Sequence, residues 1–143
     1  MSRFPKSAII DTCFWYALYN NSDGNHKIAQ EKSCLLQTMN ILLPWPCLYE
    51  TINTRFAKNM ITLKQFELFL KQPHVIRIED EPYREDALEA AFRTSLIESR
   101  PIALVDMVIR LIIEDNKIKK DALLTFNRRD FSDVCRKHKI EIL

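Results

Sequence analysis

The first pattern along the chain is a series of short apolar runs that alternate with longer segments of helical spacing. Such runs occur at residues 8–10, 41–43, 75–78, 122–126 and 140–143. Short apolar runs bounded by turn residues are typical of buried strands. Strands separated by helices predict a parallel sheet that helices cover on both faces, so we expect an α/β fold.

The segments between the runs carry apolar residues at intervals of three or four, which predicts helices. We expect helices at residues 13–19, 26–39, 79–99 and 103–115, the last apolar almost all round and therefore buried. Pro46 suits the first turn of a further helix that carries Leu48, Ile52 and Phe56, because its missing N–H costs nothing there. Thr62 is expected to cap the helix that follows.

Length and composition narrow the class of protein. The chain has 143 residues, which predicts a single domain over residues 1–143 with a core that needs neither disulfides nor a structural metal. A formal net charge of only +2 means that any contact with nucleic acid must come from a local basic patch. The single glycine, Gly24, excludes a P-loop and a dinucleotide-binding fingerprint, and it disfavours hairpin-rich folds.

Cysteine usage and hydropathy indicate the compartment. Cys13, Cys34, Cys47 and Cys135 form no CxxC pair and stand among apolar residues, so we expect four buried, reduced thiols. The N-terminus has no apolar leader core, and the longest apolar stretch, residues 101–113, contains two charged residues. We therefore expect a cytoplasmic protein with no membrane segment.

Four acidic residues are the candidates for chemistry. Asp11 ends the first predicted strand and Asp130 follows the fourth, and the carboxyl ends of parallel strands share one edge of the sheet. Asp106 lies inside the most apolar helix, where an unpaired carboxylate is costly. Glu50 shares its helix face with small and polar residues. Carboxylates that face one another repel, and Mg²⁺ or Mn²⁺ would remove that penalty.

Each acid also has an ordinary structural explanation. Asp11 could be a turn or cap residue, and Asp130 could cap a helix. Asp106 could pair with Arg110 four residues later. Glu50 could simply be solvated. The joint pattern of four acids in this order is therefore more informative than any one of them.

This ordered set resembles the PIN domain, and within it the small VapC-like toxin group. The resemblance rests on Ile9-Ile10-Asp11-Thr12, the turn at residues 23–26, Tyr49-Glu50-Thr51, Asp106 within residues 104–109, and residues 124–131. It covers nearly the whole chain in order. Two positions depart from the family pattern: Arg110 replaces a residue that is usually small, and Ala103-Leu104 replace a frequent Ser or Thr.

The resemblance implies a three-layer α/β/α fold with a central parallel sheet of four or five strands. It also implies a Mg²⁺- or Mn²⁺-dependent endoribonuclease, the toxin of a toxin–antitoxin or related defence system. The metal-binding catalytic acids would be Asp11, Glu50, Asp106 and Asp130. The supporting residues would be Thr12, Thr125, Asn127 and Arg110, the last either neutralising Asp106 or reaching a phosphate.

The residues suit that chemistry on their own. A metal-bound water needs no side-chain nucleophile, and His26, His74 and His138 are scattered along the chain. Hydrolysis of this kind would leave a 3′-hydroxyl and a 5′-phosphate. A basic cluster of Arg128, Arg129, Arg136 and Lys137 could attract the RNA backbone, or it could be a solvated surface. Trp15, Tyr16 and Trp45 could stack on bases, although the core is an alternative for the tryptophans.

The expected nuclease activity also predicts protein partners. An uncontrolled nuclease would be toxic, so we expect an inhibitory antitoxin protein that places an Arg or Lys among the acids. We also expect a homodimer, with contacts from Phe14, Trp15, Tyr49, Phe56, Phe66 and Phe69 unless these residues fill the core.

Competing classes fit less well. A haloacid-dehalogenase-type phosphatase needs an acid where Cys13 stands, and a receiver-type domain groups its acids near the first strand. The alternative that stays open is a PIN-like module that binds RNA or protein without cleavage.

Overall fold

The structure is a computed structural model, and it describes residues 6–143. The segment before residue 6, which is part of the expected leader-free N-terminus, lies outside the described residues. Five strands are present: β1 (Ser7–Ile10), β2 (Asn40–Pro44), β3 (Val75–Ile78), β4 (Ala122–Leu124) and β5 (Glu141–Ile142). The helices are α1 (Thr12–Tyr19), α2 (His26–Lys32), α3 (Trp45–Thr51), α4 (Thr54–Ala57), α5 (Met60–Leu70), α6 (Arg84–Leu96), α7 (Leu104–Glu114) and α8 (Arg128–Lys137).

All five strands form one parallel sheet in the order β3-β2-β1-β4-β5. The strand β1 is central, with Ile9 beside Leu42 of β2 on one side and Leu123 of β4 on the other. Because the strands are parallel, their carboxyl ends meet at one edge of the sheet. This edge receives the residues that follow β1, β2 and β4.

Helices cover both faces of the sheet, as the apolar runs predicted. Successive residues of β1 contribute to opposite cores, with Ile9 in one and Ile10 in the other, because side chains alternate along a strand. The core on the first face is closed by α6, α7 and α8, and includes Phe131. The core on the second face is closed by α1, α2 and α5, and includes Phe14 and Phe66. The three-layer α/β/α architecture is thereby confirmed.

The predicted helix from Pro46 through Phe56 was wrong beyond Thr51. The α3 helix ends there, and α4 begins after Asn53, whose Oδ1 accepts the N–H of Phe56 at 3.0 Å. Asparagine is favoured as a helix cap, where its side chain accepts a free backbone N–H, and so it starts a new helix here. Ile52 consequently lies at the junction and is 42% exposed.

Other boundaries also differ from the predictions. Thr62 is not the cap of α5, because the helix begins at Met60 and Asn59 accepts the N–H of Thr62. The helix expected over residues 26–39 is α2 followed by a 3₁₀ helix, Ser33–Gln37. The helix expected from residue 79 begins as a 3₁₀ turn, Glu81–Tyr83, and α6 ends at Leu96.

The expectation of four buried cysteines was only partly right. Cys47 and Cys135 are buried, Cys13 is half-buried, and Cys34 is exposed. All four are free thiols. Within residues 6–143, no helix has the length and apolar content needed to cross a membrane.

Candidate active site

The four candidate acids lie on elements that start at the carboxyl edge of the sheet. Asp11 directly follows β1 and caps α1, its Oδ1 accepting the N–H of Thr12 at 2.7 Å. Glu50 lies on α3, the helix that follows β2. Asp106 is in the first turn of α7, and Asp130 is in the first turn of α8, which follows β4.

Asp11 is the deepest of the four, at 4% exposure. Its Oδ2 accepts the hydroxyl of Thr125 at 2.8 Å and the thiol of Cys13 at 3.4 Å. Burial raises the pKa of Asp11, although the hydrogen bonds from Thr125, Cys13 and Thr12 act in the opposite direction. The cap explanation for Asp11 is therefore correct, and one carboxylate oxygen serves the cap while the other faces Thr125.

Thr12 connects Asp11 to Glu50. Its N–H donates to Asp11, and its hydroxyl donates to Glu50 Oε1 at 2.8 Å. Thr12 is buried, whereas Glu50 is exposed, so Glu50 reaches the site from its solvent side. Glu50 is thus exposed, as the solvated interpretation predicted. The hydrogen bond from Thr12 nevertheless holds one of its carboxylate oxygens beside the residue that follows Asp11.

Asn127 connects the other two acids. Its Nδ2 donates to Asp130 Oδ2 at 2.9 Å and lies 3.4 Å from Asp106 Oδ2. The two carboxylate oxygens can therefore be no further apart than these two distances together. Asn127 also stands at the cap position of α8, so Asp130 is not the cap and the cap explanation for Asp130 was wrong.

Asp106 has the most perturbed of the four carboxyl groups. Its pKa is raised to about 7, first by burial and then by the negative charges of Asp11, Asp130 and Glu50. A carboxylate feels like charges only over short distances, because solvent screens distant ones. The charges of Asp11, Asp130 and Glu50 are thus close enough to Asp106 to disfavour its ionised form.

Arg110 does not neutralise Asp106, so that part of the expectation was wrong. Its Nη1 and Nη2 bind the two oxygens of Asp133 at 2.7 and 2.8 Å, and Nη1 also donates to the backbone oxygen of Asp130. Arg110 and Arg100 together hold the pKa of Asp133 well below its usual range. A bidentate partner on α8 thus outcompetes the i+4 pair within α7.

Within residues 6–143, the four acids have no basic partner. None of the ion pairs formed within residues 6–143 includes any of these carboxylates. Uncompensated carboxylate oxygens are hard donors that suit Mg²⁺ or Mn²⁺. In the same part of the chain, no three Asp, Glu, His or Cys side chains are already close enough to hold a metal ion. Since Mg²⁺ usually keeps several waters and takes one or two carboxylates, the donor set still fits it.

The expected basic cluster divides between the two ends of α8. Arg128 and Arg129 are exposed in the first turn, next to Asp130. Arg136 and Lys137 are exposed in the last turn, about two turns further from the acids. Of these four residues, Arg128 and Arg129 are thus nearest to Asp130, and Arg128 donates to the backbone oxygen of Ile142.

The aromatic residues that were expected to contact RNA or a partner differ in their exposure. Trp15 is 1% exposed and packs edge-on against Phe66 at 5.0 Å, so it is a core residue and cannot stack on a base. Phe14 and Phe66 are also fully buried and cannot form a dimer surface. Tyr49, at 74% exposure, and Tyr16, at 37%, are accessible. Trp45 is half-buried and donates to Glu79 at 3.1 Å.

Two contributions to the site escaped the sequence argument. Tyr16 donates its hydroxyl to the backbone oxygen of Glu50, and Asn53 donates to both of these groups. Asp133 holds Arg110 away from Asp106. The Asn53 contact could have been suspected from its position before a new helix. The role of Asp133 had no local signal, because its partner is 23 residues away.

The parallel five-stranded sheet between helices, with acids at its carboxyl edge, matches the PIN-like fold of a solved structure. A solved structure with this fold is VapC20 of Mycobacterium tuberculosis, described as a toxin that cleaves the sarcin–ricin loop. The comparison gives a TM-score of 0.67 and covers 88% of this chain and 94% of VapC20, at 17% identity. No family model and no curated protein matches the sequence. The likeness confirms the predicted fold.

Proposed function

We propose that the chain is a metal-dependent endoribonuclease that hydrolyses RNA phosphodiester bonds and acts as the toxin of a toxin–antitoxin or related defence system. The observation that carries the proposal is the group of four acids, none of which has a basic partner in the described part of the chain; burial and the neighbouring acids raise the pKa of Asp106 to about 7. Perturbed carboxyl groups in a cleft are typical of functional sites. The fold shared with an RNA-cleaving toxin supports RNA as the substrate.

Each residue of the site would have its own role. Asp106 and Asp130, held by Asn127, would bind Mg²⁺ or Mn²⁺, with Asp11 and Glu50 completing the acidic site through direct or water-mediated contacts. When bound, such an ion would supply a water of lowered pKa and stabilise negative charge on the phosphate. Thr12 and Thr125 would hold Asp11 and Glu50 in place, and Arg128 and Arg129 would attract the RNA backbone.

The test is cleavage of total RNA by the purified protein with Mg²⁺ or Mn²⁺, followed by sequencing of the new ends. We expect 5′-phosphate and 3′-hydroxyl ends from the wild type, and loss of cleavage with EDTA or with Asp106→Asn. The matched control is Asp86→Asn, an exposed acid on α6. Circular dichroism would show that both variants fold. Full activity of Asp106→Asn, or activity unchanged by EDTA, would refute the proposal.

A second candidate is a PIN-like module that binds RNA or protein without cleavage. It is favoured by the finding that, within the part of the chain that the structure describes, no three ligating side chains are ready to hold a metal. Calorimetric titration with Mn²⁺ separates the two candidates. Binding that Asp106→Asn removes supports the nuclease, and no binding at millimolar Mn²⁺ supports the module.

We also propose that a cytoplasmic antitoxin protein inhibits the enzyme by placing an Arg or Lys among the four carboxylates, since none of them has a cation within residues 6–143. Expression without neighbouring genes tests this, because normal growth with active protein would show that no inhibitor is needed. A homodimer remains part of the proposal. Tyr49 is its most exposed aromatic candidate, and light scattering at micromolar concentration measures the mass.

A further inference from the structure

A cavity of about 620 Å³ opens beside Glu50, between the end of α1, the turn before α2, and the segment from Asn53 to Thr62. Its size lies within the range of pockets that hold small organic ligands. The cavity adjoins the acids, because Tyr16 and Asn53 line it and both donate to the backbone oxygen of Glu50. A group bound in the cavity would thus lie beside Glu50, the acid at this side of the site.

The polar lining is dominated by amide side chains, which are Asn20, Asn21, Asn53 and Asn59. Asn20 and Asn59 use their Oδ1 atoms on backbone N–H groups, which leaves their NH₂ groups as donors. The exposed side chain of Asn21 makes no hydrogen bond within residues 6–143. His26 uses Nδ1 on the backbone oxygen of Ala17, so Nε2 is an acceptor. Donors and acceptors of this kind match the edges of nucleobases.

The cavity also offers an aromatic surface and a cation. Tyr16, which is 37% exposed, lies beside Glu50, and Tyr19 and Phe56 pack edge-to-face in the same lining. Accessible aromatic rings stack on unpaired bases. Arg55 is exposed, and in the described chain no carboxylate lies within ion-pair distance of it. A free guanidinium suits a phosphate of the same nucleotide.

We propose that this cavity, which we call the amide pocket, binds one unpaired nucleobase of RNA next to the bond that the acids cut. The proposal rests on the proposed function, because the pocket would select the nucleotide beside the cleavage site. An apolar peptide segment would leave at least three amide groups buried without partners, which is costly. A nucleobase can pair with them and stack on Tyr16, so the lining favours RNA over such a peptide.

The experiment measures binding separately from cleavage. Asp106→Asn protein in EDTA is titrated with a set of single-stranded RNA oligonucleotides, each lacking the base at a different position, and anisotropy gives the Kd. The pocket variants are Asn21→Ala and Arg55→Ala. The matched controls are Asn116→Ala and Lys58→Ala, exposed residues that do not line the pocket.

At one position of the oligonucleotide, we expect removal of the base to weaken binding to the Asp106→Asn protein about fivefold. The same removal should hardly change binding when Asn21→Ala is also present, because Asn21→Ala has already removed the contact to that base. Arg55→Ala should weaken binding of all oligonucleotides about threefold more than Lys58→Ala does. Base removal that acts equally with and without Asn21→Ala at every position would overturn the pocket, even if the wild type cleaves RNA. Coupling at one position without any cleavage by the wild type would support the pocket and refute the nuclease.

Discussion

The charge of Asp106 destabilises the folded protein unless a cation compensates it, and Asp106→Asn should therefore stabilise the metal-free protein. Burial, and after it the charges of the neighbouring acids, raise the pKa of Asp106 to about 7 in the folded chain. The folded state thus holds this proton more tightly than the unfolded state does. Stability from this group is complete below about pH 4 and is lost as the pH rises to about 7.

The size of the effect follows from the shift. The difference between a pKa of about 7 in the folded chain and the ordinary pKa of an aspartate sets a ceiling of about 4 kcal/mol. Because Asp106 is only half-buried and solvent screens its charge, we expect about 1–2 kcal/mol. For a chain of this length, that corresponds to a rise in Tm of roughly 3–6 °C for Asp106→Asn at about pH 8.

Thermal unfolding in EDTA at about pH 5 and about pH 8 measures the effect, with Glu89→Gln on the exposed face of α6 as the control. The advantage of Asp106→Asn should become smaller at the lower pH, because the folded wild type takes up the proton at a higher pH than the unfolded chain does. Mg²⁺ at about 100 times its Kd should stabilise the wild type by about 2.7 kcal/mol and reverse the order at about pH 8. A variant that is equally destabilised at both pH values would refute the reasoning.

Two further substitutions test the contacts around the site, each by urea unfolding. Arg110→Ala should lower the free energy of unfolding by about 2–3 kcal/mol, because the Arg110 side chain is 14% exposed and binds Asp133 with both nitrogens. Arg100→Ala removes the more exposed contact to Asp133 and should lower it by less than about 1 kcal/mol. Equal losses for the two variants would contradict this account. Phe66→Ala should lower the free energy of unfolding by about 3–5 kcal/mol, because Phe66 is fully buried. Tyr49→Ala should change it by less than about 0.5 kcal/mol, because Tyr49 is exposed. A large loss from Tyr49→Ala would show that Tyr49 is covered in solution.

The sheet could be predicted from the sequence because its strands are continuous apolar runs. Residues such as Ile9 and Ile10 are buried on opposite faces, so both must be apolar, and no alternation with polar residues is possible. Asp11 and Asp130 could be placed for the same reason, since each follows such a run. Parallel pairing of all the strands then brings these two acids to one edge.

Contacts made across the fold could not be predicted in this way. The spacing of Asp106 and Arg110 favours an ion pair within one helix, but Arg110 instead binds Asp133 on α8. The spacing of Leu48, Ile52 and Phe56 favours one helix, but the cap that Asn53 forms divides it. In both cases a polar partner with better geometry outweighs a periodic pattern.

The pairing of Arg110 with Asp133 keeps the guanidinium of Arg110 off Asp106, which the proposed cation site requires. If Arg110 reached Asp106, its guanidinium would already compensate the cluster, and a metal ion would have to displace it. By binding Asp133 and the backbone oxygen of Asp130, Arg110 fixes the start of α8 and leaves the four carboxylates free. An Mg²⁺ ion and a basic side chain of an inhibitor would then satisfy the same unmet charge. Their binding would therefore be competitive, because each would occupy the same acidic site and relieve the repulsion that, after burial, raises the pKa of Asp106.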